Sequence, residues 1–301
     1  MVSGKTIRIY LVDGNPTGIR MVDLSSWTGE AFVCQRSQLT SLAQRSEARR
    51  TGVYMLVGPD PEHAGKDRVY VGEGDSVLER LIAHDKDASK DFWTQVVLFI
   101  SKDESLTKAH GRYLERALIE RAKATGRATL ANSNYPDTKL LPEPDVADMI
   151  FFLDQIQLLL PVLGFTFLQP VPTPEQLLSA SEDEAVSPLF EMSPVGTNAT
   201  ARQYQNEFIV LKGSTARKQG TPSWTSYRQL RDQLVQEGHL TPGADDRYYV
   251  FQDDVPFSSP SAAAAVIFGG NQNGTLTWKV KETGQSYKDW KEAKLANAEA
   301  M

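Results

Sequence analysis

The sequence predicts an α+β fold arranged in two domains, and three observations carry that expectation. Short apolar runs at residues 6–12, 19–22, 52–57, 68–72 and 92–100 have the length and β-branched content of strands. They are interleaved with helical patterns, the clearest over 105–125, where Leu106, Ala109, Tyr113, Leu114, Ala117 and Leu118 share one face. After a stretch rich in Pro, Ser, Glu and Thr, the same mixture of signals resumes near residue 206. A chain of 301 residues suits two modest domains, each able to bury a core.

In chain order, Ile7, Ile9 and Leu11 alternate with Arg8 and Tyr10, Asp13-Gly14-Asn15-Pro16 is turn chemistry, and an apolar run returns over 19–22. This reads as a hairpin. Ser25, Ser26 and Thr28 offer N-cap groups for a short helix, and a second short helix is expected over 37–45. Residues 52–57 and 68–72 form an antiparallel pair around a loop that starts at Pro59-Asp60-Pro61-Glu62. A helix follows, with Ser76 and Glu79 spaced as a capping box and Val77, Leu78, Leu81 and Ile82 on its apolar face. Residues 92–100 are the third strand, 105–125 a long helix, 129–136 a polar loop, and 142–163 a closing helix.

The domain reading is therefore 1–50 as a hairpin and helices packed on the next segment, 51–167 as the first domain, 168–205 as a linker centred on Ser181-Glu182-Asp183-Glu184, and 206–301 as a second small α+β domain. In the last segment, strands are expected over 208–211, 248–251 and 276–280, a basic Gly/Ser loop over 212–218, and a helix over 226–237. An alanine-rich helix is expected to start after an N-cap at Ser258 or Ser259.

Composition excludes several classes. At 41% hydrophobic and 23% charged, the chain is not mainly disordered. One cysteine, Cys34, permits neither a disulfide framework nor a cysteine-rich zinc site, and favours a reducing compartment. The first residues lack the apolar core of a signal peptide. The most apolar run, 149–168, is broken by Asp154, Gln155, Gln157, Pro161 and Gly164, so no membrane span is expected. The expected location is cytoplasmic, without a membrane partner. The formal charge of −6 disfavours a nucleic-acid partner on average. Local charge differs: Lys108, Arg112, Arg116, Arg121 and Lys123 outnumber Glu115 and Glu120 on the long helix, and residues 36–50 hold four arginines against one Glu.

Five side chains suit phosphodiester chemistry. Arg80 and His84 are i and i+4 on one helix and project together. A guanidinium fork matches two phosphate oxygens. Glu115 offers a hard oxygen to a divalent metal. Tyr54 and Tyr70 are phenols on neighbouring strands. Each alone is an ordinary residue; the ordered set is informative. Gly72-Glu73-Gly74 lacks the G-x-G-x-x-G spacing and is not read as a phosphate loop.

That set resembles the GIY-YIG endonuclease family across residues 50–135. Gly52-Val53-Tyr54 is similar to the first signature and Tyr70-Val71-Gly72 to the second, each with Val for the central Ile. The Arg80/His84 helix matches the next block, Tyr113-Leu114-Glu115 the helix with the metal-binding glutamate, and Asn132 or Asn134 the late asparagine. The Tyr54–Tyr70 spacing is a few residues longer than usual, which concerns the loop. The resemblance implies a small three-stranded antiparallel sheet flanked by helices, and a catalytic set of Tyr54, Tyr70, Arg80, His84, Glu115 and Asn132. Tyr54 would be the general base and Tyr70 would orient the nucleophile or phosphate. Arg80 would stabilise transition-state charge with His84 assisting. Glu115 would hold one Mg²⁺ or Mn²⁺. A phenol with pKa near 10 needs help from Arg80 and the metal to act as a base. Residues 257–278, with Ser261, Asn273-Gly274 and Trp278, resemble an uncharacterised module found after GIY-YIG domains in bacterial proteins, and one associated with restriction and adenine-methylation systems.

The resulting expectation is a bacterial metal-dependent endonuclease acting on duplex or branched DNA, with self-association as a further partner. Lys108, Arg112, Arg116, Lys212, Arg217 and Lys218 are its candidate nucleic-acid contacts. An inactive DNA-binding protein and a protein-interaction scaffold are the alternatives. For the second domain, DNA recognition and a purely structural role stand level.

Overall fold

Strand β4 (Gly52–Pro59) is buried from Gly52 to Gly58 and pairs on both sides, with β5 (Asp67–Gly74) and β6 (Gln95–Ser101), both antiparallel. Burial on both faces explains its unbroken apolar run. The computed structural model describes residues 4–63, 66–133, 140–170, 187–204 and 206–299. The chain divides into two units, Met1–Pro170 and Val171–Met301. Both are mixed α and β.

In the first unit the trio β6-β4-β5 lies within a larger sheet. Strands β1 (Ile7–Leu11), β2 (Arg20–Leu24), β3 (Gly29–Gln35) and β7 (Ala128–Leu130) extend it to seven, in the order β1-β2-β3-β6-β4-β5-β7. Only β5–β7 is parallel among these pairs. The expected three-stranded sheet is therefore too small. The expected helix after Ser25–Thr28 is strand β3, which pairs along its whole length with β6. Ala31, Phe32, Val33 and Cys34 are buried on both faces, so no alternation marks the strand, and pairing overrides local propensity.

Odd and even residues of the central strands face different helical layers. Val53, Met55, Val57, Val69, Val71, Val97 and Phe99 pack toward α3 (Lys108–Thr125) and α4 (Glu143–Val162), through Leu114, Leu118, Ile156 and Leu159. Tyr54, Leu56, Leu98 and Ile100 pack instead toward α1 (Leu39–Leu42) and α2 (Val77–Asp85), through Leu42, Leu78 and Leu81. Cys34 lies in this second layer, where burial pushes its thiol up to about 12.

Thr107 caps α3, its hydroxyl accepting from the His110 backbone N–H at 3.3 Å, and Gly126 ends the helix at φ 63°. The capping box expected at Ser76 does not form: Ser76 is the N-cap of α2, but its hydroxyl is buried without a partner. Among the described residues, no helix is long and apolar enough to cross a membrane.

The second unit has a five-stranded sheet, β14-β10-β9-β8-β15, built from β8 (Phe190–Met192), β9 (Ala199–Tyr204), β10 (Glu207–Val210), β14 (Val255–Phe257) and β15 (Lys279–Val280). A three-stranded sheet joins β11 (Thr215–Arg217), β13 (Tyr248–Phe251) and β12 (Leu240–Pro242). Helices α5 (Arg228–Gln236), α6 (Pro260–Phe268), α7 (Gly274–Thr277) and α8 (Tyr287–Glu299) complete it. Three expectations change here. Residues 190–204, read as linker, supply two strands whose Phe190, Met192, Ala199 and Ala201 join the core. The basic loop contains β11, because Ala216 is a buried cross-strand partner of Tyr249. The terminal strand keeps only Lys279–Val280, since Gly274–Thr277 is helical. The acidic centre of the expected linker, 181–184, lies outside the described residues.

Gly72 sits opposite Tyr54, and a Cβ there would meet the Tyr54 ring and hydroxyl. Gly72→Ala is expected to lower stability by about 1–3 kcal/mol through overpacking. The urea midpoint should fall at unchanged m value; an unchanged midpoint would show that Tyr54 yields freely.

Candidate functional site

β7 stops opposite Val69, so among the described residues the Tyr70–Gly74 half of β5 has no strand neighbour on that side. Helix α2 covers one face of the sheet and α3 the other, and the predicted side chains meet around this part of β5. Tyr54 and Tyr70 both turn to the α2 layer, with ring centroids 6.4 Å apart. His84 completes a cluster, 5.6 Å from the Tyr54 ring and 5.1 Å from the Tyr70 ring.

The Tyr54 hydroxyl and His84 Nε2 are 2.6 Å apart, in a buried hydrogen bond. Burial, then the charges of Lys90 and Arg80, lower the His84 pKa to about 4. The imidazole is neutral near pH 7, so its Nε2 accepts and the phenol donates. Burial pushes the Tyr54 phenol well above its ordinary value, with Tyr70 adding to the shift. Arg80 pulls in the opposite direction, as the sequence reading requires, but burial outweighs it. Tyr70 is likewise raised, by burial and then by Glu115, against the pull of Arg80.

Arg80 leaves α2 one turn before His84 and lies over Gly74, where any Cβ would collide with its side chain. Its charge acts on both phenols and on Glu115. Glu115 comes from α3. Burial, then the negative charge of Glu73, raises its pKa to about 7, against the pull of Arg80 and Arg112. Tyr54, Tyr70, Arg80, His84 and Glu115 are thus brought together.

Asn132 has another task. Its Oδ1 accepts from the Val71 N–H at 2.9 Å and its Nδ2 donates to the Val71 carbonyl at 2.8 Å. The amide pairs with the backbone between Tyr70 and Gly72 and holds that part of β5. Asn134 lies outside the described residues.

Two neighbours were not legible in the sequence. Lys90 places its ammonium 4.3 Å from the centroid of the Tyr70 ring and 3.7 Å from Asp87. Glu73 lies 3.8 Å from Arg112 through Oε1, while its Oε2 is buried and has no hydrogen-bond partner among the described residues. Glu73 does follow Tyr70-Val71-Gly72 directly, which was the available signal. A third residue, Arg36, positions α2 from outside the expected domain. It donates to the Asp85 carboxylate at 2.8 Å, the Asp85 carbonyl at 3.0 Å and the Asp91 carboxylate at 2.9 Å.

A groove of about 300 Å³ adjoins the cluster, lined by Glu73, Asp75, Ser76, Arg80, Lys108 and Arg112 among others. A larger one of about 900 Å³ is lined by Arg36, Leu39, Ile82, Asp85 and Trp93. Of the five clustered residues, Arg80 lines the smaller groove and none lines the larger.

Of the candidate nucleic-acid contacts, Lys108 bonds Asp75 at 2.7 Å and Arg116 bonds Glu120 at 2.9 Å on α3. In the second unit Arg217 stacks on Phe268, and Lys218 approaches Asp246 at 3.5 Å; Lys212 is exposed. Ser261 has a structural role there, its hydroxyl accepting from the Gly274 N–H at 3.2 Å. Ser259 caps α6, and Trp278 Nε1 donates to the Pro260 carbonyl at 3.0 Å. Gly274 is needed because a Cβ would strike the Pro260 carbonyl. The Ser-Pro-Ser…Asn-Gly…Trp pattern is thus one packed corner.

Residues 190–291 match a family profile described as a domain of unknown function (DUF4357). This agrees with the uncharacterised C-terminal module expected from the sequence, and no match to the GIY-YIG family is found. No curated protein and no solved structure matches the chain.

The His84 imidazole is expected to titrate near 4 by NMR, against an ordinary value of 6.5. A depressed histidine contributes stability that is present above 6.5 and lost as pH falls toward about 4. Titration of His84 near 6.5 would remove the neutral-acceptor assignment. For Glu115 the sign is opposite: its ordinary value is 4.5 and its folded value about 7. Its contribution is full below 4.5 and lost as pH rises through 7. Metal-free Glu115→Gln should therefore gain melting temperature relative to the native chain at pH 8 compared with pH 4. An equal difference at both pH values would contradict the assignment.

Proposed function

We propose that the first unit is a GIY-YIG-like endonuclease that hydrolyses phosphodiester bonds in DNA with a divalent metal, and that the second unit aids recognition of substrate or partner. The convergence of two phenols, a guanidinium, a neutral imidazole and a half-buried carboxylate, in the order of the family's signatures, supports this reading.

Hydrolysis needs a proton taken from water and negative charge balanced at phosphorus. A buried phenol is a poor base alone. Tyr54, however, already donates its proton toward neutral His84, so it can take a proton from water as His84 receives the phenolic one. The relay forms an imidazolium in place of a free phenolate. Arg80 lies where its fork can meet two phosphate oxygens. Tyr70 orients the phosphate, and Lys90 beside it adds positive charge. Lys108, Arg112 and Arg116 continue the charge along α3, and Lys212, Arg217 and Lys218 add contacts from the second unit.

The donor chemistry suits a divalent metal. Glu115 is a half-buried hard oxygen donor that burial and Glu73 disfavour as a lone carboxylate, which a dication would reverse. A single Mg²⁺ or Mn²⁺ bound at Glu115 would supply charge at the phosphate and leaving oxygen.

A cleavage panel on duplex and branched DNA with Mg²⁺ and Mn²⁺ tests the proposal. Tyr54→Phe, Arg80→Ala and Glu115→Ala should each lose cleavage by roughly 10²-fold or more, the scale of a lost acid–base or charge-stabilising group. Binding at low salt should persist. Glu115→Ala that cuts like the native chain removes the metal assignment. Binding without cleavage by the native chain would make the unit a recognition module. Absence of binding even at low salt would favour a protein-interaction scaffold.

A further inference from the structure

We propose that Glu73 is a second carboxylate ligand, sharing with Glu115 a single Mg²⁺- or Mn²⁺-class cation; this rests on the reading of the first unit as a metal-dependent nuclease. Glu73 is the second-last residue of strand β5 and belongs to no motif: it follows Tyr70-Val71-Gly72 and packs on α3 at Gly111.

Three geometric observations carry the inference. The carboxylate is divided in its contacts, with Oε1 3.8 Å from Arg112 Nε and Oε2 buried and, among the described residues, without a hydrogen-bond donor. An acceptor-only oxygen withdrawn from water and unpaired is costly, and a cation is one of the groups that can satisfy it. Next, Glu73 lies flat against α3 at Gly111, where a Cβ would be 3.4 Å from Glu73 Cβ and 3.6 Å from Oε2. Those are ordinary van der Waals separations, so the Glu73 side chain packs directly on the α3 surface at Gly111. Finally, Glu115 is one turn further along α3, i+4 from Gly111, on the same side of the helix. The unpaired oxygen of Glu73 therefore lies on the flank of α3 from which Glu115 projects. Arg80 and Arg112 border the pair and prevent it from becoming an isolated patch of negative charge.

Two carboxylates with remaining positions left to water and phosphate oxygen match the way Mg²⁺ is commonly held in nucleic-acid enzymes. Arg112 then orients Glu73 by holding one oxygen, which leaves the other for the metal.

The test is Mn²⁺ binding to the full-length chain, followed by electron paramagnetic resonance and calorimetry, without DNA. The native chain should bind one Mn²⁺, and E73Q and E115Q should each weaken it by at least about tenfold, as loss of a ligand or of its support does. E79Q removes an exposed carboxylate from the same groove and should bind as the native chain does. E73D, which keeps the charge but withdraws it by one methylene, is the second variant and should also weaken binding. Melting curves establish that each variant is folded. Native-like Mn²⁺ affinity in E73Q and E73D, with loss in E115Q, overturns the second ligand and leaves the nuclease reading standing. Equal weakening in E79Q and E73Q also overturns it, since the effect is then only one of net charge. A native chain that binds no Mn²⁺ removes both this inference and the metal in the proposed function.

Discussion

A phenol buried in the face of a sheet must find a partner for its hydroxyl, and the Tyr54–His84 hydrogen bond answers that constraint. Its 2.6 Å length fixes how closely α2 approaches β4. The bond requires Gly72 across the strand pair, because any side chain there would occupy the space of the Tyr54 ring. It also requires α2 to be held at its C-terminal end, which Arg36 does through Asp85 while tying in Asp91. Loss of either support would loosen His84, the neutral acceptor of the Tyr54 hydroxyl. The small glycines and the arginine clamp thus serve one buried polar contact.

Burial and charge act against each other throughout this cluster. Burial raises Tyr54, Tyr70 and Glu115 and lowers His84, each toward its neutral form. Arg80 draws the phenols and Glu115 the other way without prevailing. Burial therefore favours the neutral forms of the cluster, in a region bordered by Arg80, Lys90, Lys108 and Arg112. An anionic substrate would meet cations at the rim and neutral acid–base groups beneath them. A cation bound at Glu115 would change that balance most, since it would favour the carboxylate form that burial and Glu73 disfavour.

The second unit owes its recognisable residues to packing. Ser259 caps α6, Ser261 receives the Gly274 N–H, and Trp278 reaches back to the Pro260 carbonyl. Such a corner explains why Ser, Pro, Gly and Trp occur together there without any nucleophilic role for Ser261. Strand β11 presents Arg217, with Lys218 directly after it, where the sequence suggested a loop.

Local pattern was enough to read the β4–β5 pair, β6, the amphipathic helices and the residue types of the site, because apolar periodicity and turn chemistry are short-range properties. Tyr54, Tyr70, Arg80, His84 and Glu115 were legible for the same reason: each sits at a fixed place in a strand or helix, in recognisable order. The sequence could not show that residues 29–35 are a strand, since burial on both faces erases the alternation that marks one. Nor could it show that Asn132 bonds the backbone of Val71, that Arg36 holds α2, or that Lys90 lies over Tyr70, because these contacts join residues far apart in the chain. The protonation state of the cluster was also decided by tertiary structure. Whether a phenol, an imidazole or a carboxylate carries charge depends on how much water and how many neighbours surround it, and only the packed sheet and helices set those.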